Sequence, residues 1–552
     1  MRLIFLIILI LLIHELSFTQ TEYVPVDNSV YEFLERMETL QIIPEYNSFE
    51  IPKTRREISG YIKTIIKSQQ LLDGNDQKYL NDLKVEFEYE LYNSLNNSAS
   101  LISKGKYDFF SQQQKYLYYY NDPDKINLFV NLIGEGQLLS RNNQEANSSS
   151  SAFLGIIGGD IRGTILNKFG FYINGTNGNV FGKRDAALLR RDLQYNYKLN
   201  ENPEETFFDE TLGYLTADFD LIKFKFGRDR KNIGYGMNKI ILANSSPLFD
   251  YFALNIHYNF FDYSFFHGQL LGQETFTEDS ISGGVHVVAS KYMAYHRIGF
   301  NISKDISFGA GEVIIYGDRP VDLSYLNPFS FYKSIEHSNR DRDNALLFFD
   351  ANNKSIEGLK INASLLIDDI TFSKLGTGWW GNQTILDAGI HSELLYGILP
   401  LSIDFQYTKI DPYVYTHRLL RNNYTNFGYN LSSFTNPNSE LFLTGINFRF
   451  NNRLELSIVF NYKIHGANPL NTDGSLKENI GGNVAIGHRV FDPEHVNFLD
   501  GELEFSRQYK LRMIYEPYNE YFLSTEISYL NESLQNIRNE NLNLIFTLSI
   551  KI

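Results

Sequence analysis

The chain has 552 residues and no cysteine, and 50 Lys and Arg against 65 Asp and Glu give it a formal net charge of −15. The missing cysteine excludes a disulfide and a lipid-bearing Cys, and the acidity argues against a nucleic-acid partner, which calls for a basic surface. Aromatic residues make up 15% of the chain, with 37 Tyr and 43 Phe but only 2 Trp, a high load for a mean hydropathy of −0.27.

The chain opens on Met1-Arg2, an apolar run from Leu3 to Ile13, and Ser17-Phe18-Thr19. A positive start, a short apolar stretch and small residues before a cut read as a secretory signal peptide over residues 1–19. The run is too short to cross a bilayer, which takes roughly 20 apolar residues.

Residues 20–92 read as a helical unit. Asp27, Asn28 and Ser29 offer N-caps before Val30, Phe33, Leu34, Met37 and Leu40 at helical spacing. Thr54 and Glu57 form a capping box ahead of Ile58, Ile62, Ile65 and Ile66. Asp73-Gly74-Asn75-Asp76 reads as a break before a third helix carrying Leu80, Leu83 and Phe87. Residues 93–125 are a connector, in which the run Tyr116 to Tyr120 fits either a strand or a link.

From residue 126 to 552 one unit recurs: an alternating strand, a short polar turn, another strand, a long polar loop. The last strand shows it. Leu542, Leu544, Phe546, Leu548, Ile550 and Ile552 share one face, and Asn541, Asn543, Thr547, Ser549 and Lys551 share the other, joined by Ile545. Successive strand side chains point to opposite faces, so one face meets grease and the other water. Strands are expected near 126–140, 151–166, 168–176, 211–219, 221–227, 251–258, 263–270, 291–302, 306–316, 345–353, 358–370, 383–396, 401–410, 438–450, 453–465, 508–516, 520–530 and 541–552. Long connections near 177–210, 228–250, 271–290, 317–344, 411–437 and 466–507 fall at alternate junctions. The fold class expected is an all-β transmembrane β-barrel of about 18 antiparallel strands in an outer membrane, with aromatic girdles at the two interfaces. A soluble propeller would show a repeat of about 40–50 residues, and none is present.

No G-x-S-x-G elbow, H-E-x-x-H, P-loop or G-x-G-x-x-G occurs, so neither a catalytic set, a cofactor nor a metal is expected. His296 fits a strand better than a metal site. Arg228 and Asp229, at the end of a strand, fit an ion pair that fixes the next loop. Glu312 alternates with Val313 and is expected to face the lumen beside Arg297. Tyr325-Leu326-Asn327-Pro328 is expected to fold inward as part of a plug. Trp379, Trp380, Tyr413 and Tyr415 are expected as exposed rings at loop tips, where they suit sugar faces or an interface girdle equally.

Three stretches carry a resemblance. The first is Tyr23-Val24-Pro25-Val26-Asp27 through Val30-Tyr31-Glu32-Phe33-Leu34, with Lys53-Thr54-Arg55-Arg56-Glu57-Ile58. The second runs from Phe226-Gly227-Arg228-Asp229-Arg230 through Gly234-Tyr235-Gly236 to Leu242-Ala243-Asn244-Ser245-Ser246-Pro247-Leu248-Phe249-Asp250. The third is Tyr295-His296-Arg297, Gly311 to Gly317, Tyr325-Leu326-Asn327-Pro328 and Glu336-His337. Together they resemble the capsule-assembly Wzi family, most firmly over 22–60 and 220–340; beyond about residue 350 the likeness is of architecture. The resemblance implies an 18-stranded outer-membrane barrel with a helical unit at its periplasmic mouth. It also implies a lectin-like, non-catalytic role in assembling capsular or exopolysaccharide or attaching it to the surface. The partners it implies are the surface polysaccharide, membrane lipid or lipopolysaccharide, and export machinery. The candidate polysaccharide-binding residues are then Arg228, Asp229, Glu312, Trp379, Trp380, Tyr413 and Tyr415. A channel for small solutes is the alternative, since an 18-stranded barrel is wide enough for an aqueous lumen. A barrel-borne hydrolase is the third reading, favoured only if lumen carboxylates converge.

Overall fold

Each alternating segment becomes a strand, each strand pairs antiparallel with the next, and the last returns to the first. The computed structural model describes residues 20–552 apart from 103–106, 123–124, 197, 200–203, 280, 282, 341, 434–435 and 535–536; the expected signal peptide lies outside the described residues. The barrel strands are β1 (Ile126–Asn143), β2 (Ser148–Ile165), β3 (Phe169–Gly182), β4 (Phe207–Asp218), β5 (Ile222–Asp229) and β6 (Phe249–Tyr258). They continue as β7 (Phe261–Asp279), β8 (Gly283–Asn301), β9 (Ile306–Gly317), β10 (Asn344–Ile356), β11 (Leu359–Asp369) and β12 (Gln383–Ser392). The circuit ends with β13 (Leu401–Ile410), β14 (Ser439–Asn451), β15 (Leu454–Ala467), β16 (Glu502–Tyr518), β17 (Tyr521–Leu534) and β18 (Ile537–Lys551). β18 closes on β1, from Lys551 opposite Ile133 to Asn541 opposite Asn143. Closure is obligatory in lipid, where an open edge would leave backbone groups without partners. A short strand, Tyr118–Asp122, pairs with β1 at Ile126–Val130, beyond the end of β18; most of the tyrosine run is therefore strand.

All 18 expected strands are present, within a few residues at most ends. The main difference is at 271–290, expected as a loop. There β7 and β8 form a tall hairpin, paired as far as Asp279 opposite Gly283, with a slip between Leu271 and Glu274. Val285, Val287 and Val288 favour strand, and they stand opposite Thr277, Thr275 and Glu274 in the hairpin ladder.

The helical unit holds α1 (Val30–Thr39), α2 (Arg55–Lys67), α3 (Gly74–Glu86) and α4 (Glu88–Tyr92). The Thr54–Glu57 capping box is present. A break separates α2 from α3 as expected, and Asp73 ends it by starting α3, accepting from the Asn75 and Asp76 amides at 2.9 and 2.8 Å. The apolar faces of these helices meet one another: Phe33, Leu34, Met37, Ile58, Ile62, Ile65, Leu80 and Phe87 form one buried core.

Against the barrel the unit is largely polar, apart from rings such as Phe49 against Phe348 and Tyr89 against Phe129. It sits within the end that carries the short turns, touching the wall through Thr21 and Thr164, Arg453 and Asp82, and Lys360. Lys360 Nζ, wholly buried, reaches Glu35, Glu38 Oε2 at 3.1 Å and Ser48 Oγ at 3.1 Å. Lys354 Nζ donates to Glu38 Oε1 at 2.9 Å and to the Pro44 carbonyl at 2.7 Å. Arg36 clamps Asp76 at 2.8 Å and reaches Glu393, in the turn after β12, at 3.2 Å.

This seam carries a pH dependence. Burial opposes the charge of Glu35, but the Lys360 ammonium outweighs it and holds the carboxyl at about 2, below its ordinary 4.5. A carboxyl depressed in the docked state contributes fully above its free value and loses that contribution as pH falls through its docked value. Docking of α1 should therefore hold from neutral pH to about 4.5 and weaken progressively toward about 2. Proteolysis by an acid protease across that window measures it, and Glu35→Gln should flatten the curve.

Candidate functional site

Two long loops fold into the barrel above the helical unit. In the loop of residues 230–248, Asn232–Ile233 pairs with Glu50–Ile51 of the N-terminal unit. The Ala243 amide donates to the Leu431 carbonyl at 2.9 Å, joining this loop to residues 411–433. Phe49, Tyr235, Tyr415, Tyr424 and Leu431 pack there with Tyr251, Phe266, Tyr295 and Phe348 from the inner wall. Arg297 lies over the Phe49 ring at 4.3 Å and forms a two-bond pair with Asp350, each bond 2.8 Å. Gly309 makes room for that pair, since a Cβ there would stand 2.3 Å from both partners. A third loop carries α5 (Arg184–Ala187) and α6 (Arg191–Gln194) against the inner face of β1 to β3. Ile545 of β18 packs on that cluster, which explains an apolar residue on a polar face.

On the opposite side the lumen is not filled. A cavity of about 580 Å³ lies between the helical unit and the walls of β1–β5 and β14–β18, with Tyr79, Tyr172, Tyr214, Arg449, Arg512 and Asp229 among its lining.

The sequence candidates separate into four groups. Arg228 and Asp229 do not pair with each other, because neighbours on a strand face opposite ways. Arg228 points outward and is held by Asp250 at 2.7 and 3.2 Å. Asp229 points inward, pairs with Lys225 and lines the cavity.

Glu312 is not in the lumen. Arg297 stands opposite Gly311, and Glu312 stands opposite His296 on the outer face. It is 2% exposed because the loop after β9 folds outward over it. That loop contains Tyr325 to Pro328, so its expected role as an inward plug is also corrected. It carries α7 (Leu323–Leu326) and α8 (Tyr332–Ser338).

Tyr413 and Tyr415 are not exposed: both are about fully buried. Each sits in the left-handed region, at φ 64° and 69°, which turns both rings into the protein. Tyr413 donates its hydroxyl to the Asn479 carbonyl at 2.7 Å. Tyr415 stacks on Tyr424 at 4.7 Å and donates to the Ile240 carbonyl.

Trp379 and Trp380 are half-buried at the long-loop end. Their loop is tied to residues 468–501 by a bridge between Trp379 and His495 and by the Trp380 amide, 3.1 Å from the Glu494 carbonyl. Trp380 lies flat on His488 at 3.9 Å, and Tyr413 meets the same imidazole edge-on at 5.3 Å. Lys374 Nζ stands 3.0 Å from the Trp379 ring centre. Nearby Phe372 and Phe491 are exposed, the latter under Arg489 at 4.5 Å. Sequence reading missed His488, Lys374 and Phe491. Only the density of aromatic and cationic residues in two separate loops signalled them, and nothing in the sequence says that those loops meet. Among the described residues no group of three or more His, Asp or Glu is placed to hold a metal.

No protein-family model matches the chain, and no curated protein matches it by sequence. Solved structures do. Wzi of Escherichia coli, described as an outer-membrane protein involved in group 1 capsule assembly and a carbohydrate-binding β-barrel, aligns with a TM-score of 0.57 at 12% identity. The alignment covers 96% of this chain and 99% of Wzi. OpdK of Pseudomonas aeruginosa, solved with vanillate, covers 77% of this chain and 99% of its own, at 9% identity and a TM-score of 0.44. At these identities the likeness is one of fold, and the resemblance read from the sequence holds at that level. The chain is an outer-membrane β-barrel that shares the fold of Wzi.

Proposed function

We propose that this protein binds capsular or exopolysaccharide at the cell surface and assists its assembly or retention without catalysing a reaction. The observation that carries this is the composite aromatic surface of Trp379, Trp380 and His488, built from two extracellular loops and fringed by Lys374, Arg489 and Phe491. Flat rings beside cations and amides suit the faces and hydroxyls of sugars. Individually weak contacts suffice, because a repeating polymer presents the same epitope many times. The likeness to Wzi supports the reading. The solute-channel reading is less well supported, because helices and two inward loops occupy much of the lumen.

The test is binding of polysaccharide from the producing strain to purified protein. Trp379→Ala with Trp380→Ala should weaken it by on the order of tenfold or more, since each ring contact is worth about 0.5–1.5 kcal/mol. Heat-modifiability on gels checks that the barrel is intact. Unchanged binding would move the site to the cavity beside Asp229; Arg228 and Glu312, facing outward, do not belong to a luminal site. A deletion strain that keeps its surface polysaccharide but loses uptake of a small solute would replace this reading by transport.

A further inference from the structure

The outer wall of β7–β10 should not be able to face lipid. His267, His296, Glu312, Tyr292 and Tyr316 all point outward there, as strand partners or neighbours of outward Phe300 and Phe308. An uncovered carboxylate and two imidazoles in hydrocarbon would be expensive. Residues 318–340 lie over them. Tyr263, Phe265, Tyr292, Ala294, Ile314, Tyr316 and Ala345 of the wall pack with Tyr325 and Tyr332 of this flap.

Most of the polar groups beneath the flap are consumed, although His296 Nδ1 and the Tyr332 hydroxyl have no hydrogen-bond partner among the described residues. Glu312 accepts from the Tyr332 and Lys333 amides at 2.8 and 3.1 Å, supplying the cap that α8 lacks from its own N-cap residue, Phe331. His296 reaches Glu312 at 3.1 Å and stacks on Tyr332 at 4.4 Å. His267 meets the Tyr316 hydroxyl at 2.7 Å, and that hydroxyl accepts from the Asp322 amide at 3.1 Å. Tyr263 donates to the Pro328 carbonyl, well down the wall toward the short-turn end. Asp322 accepts from Ser324 at the start of α7. Backbone at membrane depth is tolerated when its hydrogen bonds are met in this way.

The flap's other side is apolar and exposed. Leu323 is 80% exposed, Phe329 74% and Phe331 59%. These side chains continue the apolar belt that Phe300, Phe308 and Phe349 present on the adjoining wall.

We propose that residues 318–340 form a membrane-embedded flap, with Leu323, Phe329 and Phe331 seated against the acyl chains of the bilayer. The flap exchanges a polar strip of wall for an apolar one and restores a continuous lipid-facing belt. The occupant is lipid, because the face is continuous with the barrel's membrane surface and lies at the depth of Tyr263. This surface is separate from the aromatic cluster at Trp379 and Trp380, so its test is independent of polysaccharide binding.

The absence of cysteine gives a clean background for spin labelling. Leu323→Cys and Phe329→Cys, each carrying a nitroxide, would be reconstituted in phosphatidylcholine–phosphatidylglycerol vesicles. Leu544→Cys on the lipid-facing wall and Ser475→Cys on an exposed loop serve as references. Oxygen concentrates among acyl chains, and a nickel chelate stays in water. The expected result is that both flap labels match Leu544, with collision by oxygen dominant. A water-like ratio matching Ser475 at either position overturns the proposal. Label-to-label broadening at either position also overturns it, since the face would then belong to a second copy of the chain.

Discussion

Lys360→Met is expected to loosen the helical unit while leaving the barrel closed. The lysine is wholly buried, and its ammonium is shared by Glu35 and Glu38. Removing one partner of a buried ion pair leaves the other charge uncompensated, which costs about 3–5 kcal/mol. Methionine keeps the volume, so the loss reads the charge. Hydrogen exchange is the suitable measurement, because the barrel masks the unit in global unfolding. Amides of α1 should exchange on the order of a hundredfold faster or more, at about 1.4 kcal/mol per tenfold. Strand amides of β16–β18, remote from this contact, should not change. Unaltered exchange in α1 would mean that Arg36, Asp76 and Glu393 carry the docking alone.

The second large effect is expected from Tyr415→Ala. This side chain stacks on Tyr424, donates to the carbonyl of Ile240 and sits in the cluster that joins both inward loops to the wall. Deleting a fully buried ring costs about 3–5 kcal/mol, and here the loss falls on loops that block the lumen. In planar bilayers the native protein is expected to pass little current. Tyr415→Ala is expected to show frequent openings as residues 230–248 and 411–433 come away. An open, porin-like current from the native protein would contradict the blocked lumen. A silent Tyr415→Ala variant with an intact barrel would place the closure in the helical unit.

The strand pattern was legible because it rests on a period of 2 with a hydrophobic penalty at every second residue. Leu542 to Ile552 announces its outward face residue by residue, and the structure leaves Leu542, Leu544, Phe546 and Leu548 at that face. The helix starts were legible for a similar reason, since a capping box is a local hydrogen-bond exchange between Thr54 and Glu57. What escaped was everything set by a partner far along the chain. Glu312 was expected inside because it alternates with Val313. It lies outside because a loop beginning six residues later returns to cover it. Tyr413 and Tyr415 were expected at a tip because their loop is long and polar. Residues 230–248 and 479–481 give them buried partners instead. The upper part of the β7–β8 hairpin, residues 271–290, was read as a loop because its alternation weakens where neither face meets lipid or core.

The seam between the helical unit and the wall has a consequence for the route to the membrane. The helices bury Phe33, Met37, Ile62 and Phe87 against one another and show the barrel mainly charge. Such a body leaves few apolar groups, chiefly Phe49 and Tyr89, to shield while it crosses an aqueous compartment. Emerging ahead of the strands, it can complete its own core before any strand finds a neighbour. The strands have no such independence, since each depends on the next for its backbone bonds. The helical head can thus be complete while the strands are still unpaired. The docking lysines, Lys354 and Lys360, belong to the strands. The lock is therefore assembled only when the wall is, and a half-built barrel cannot be sealed prematurely.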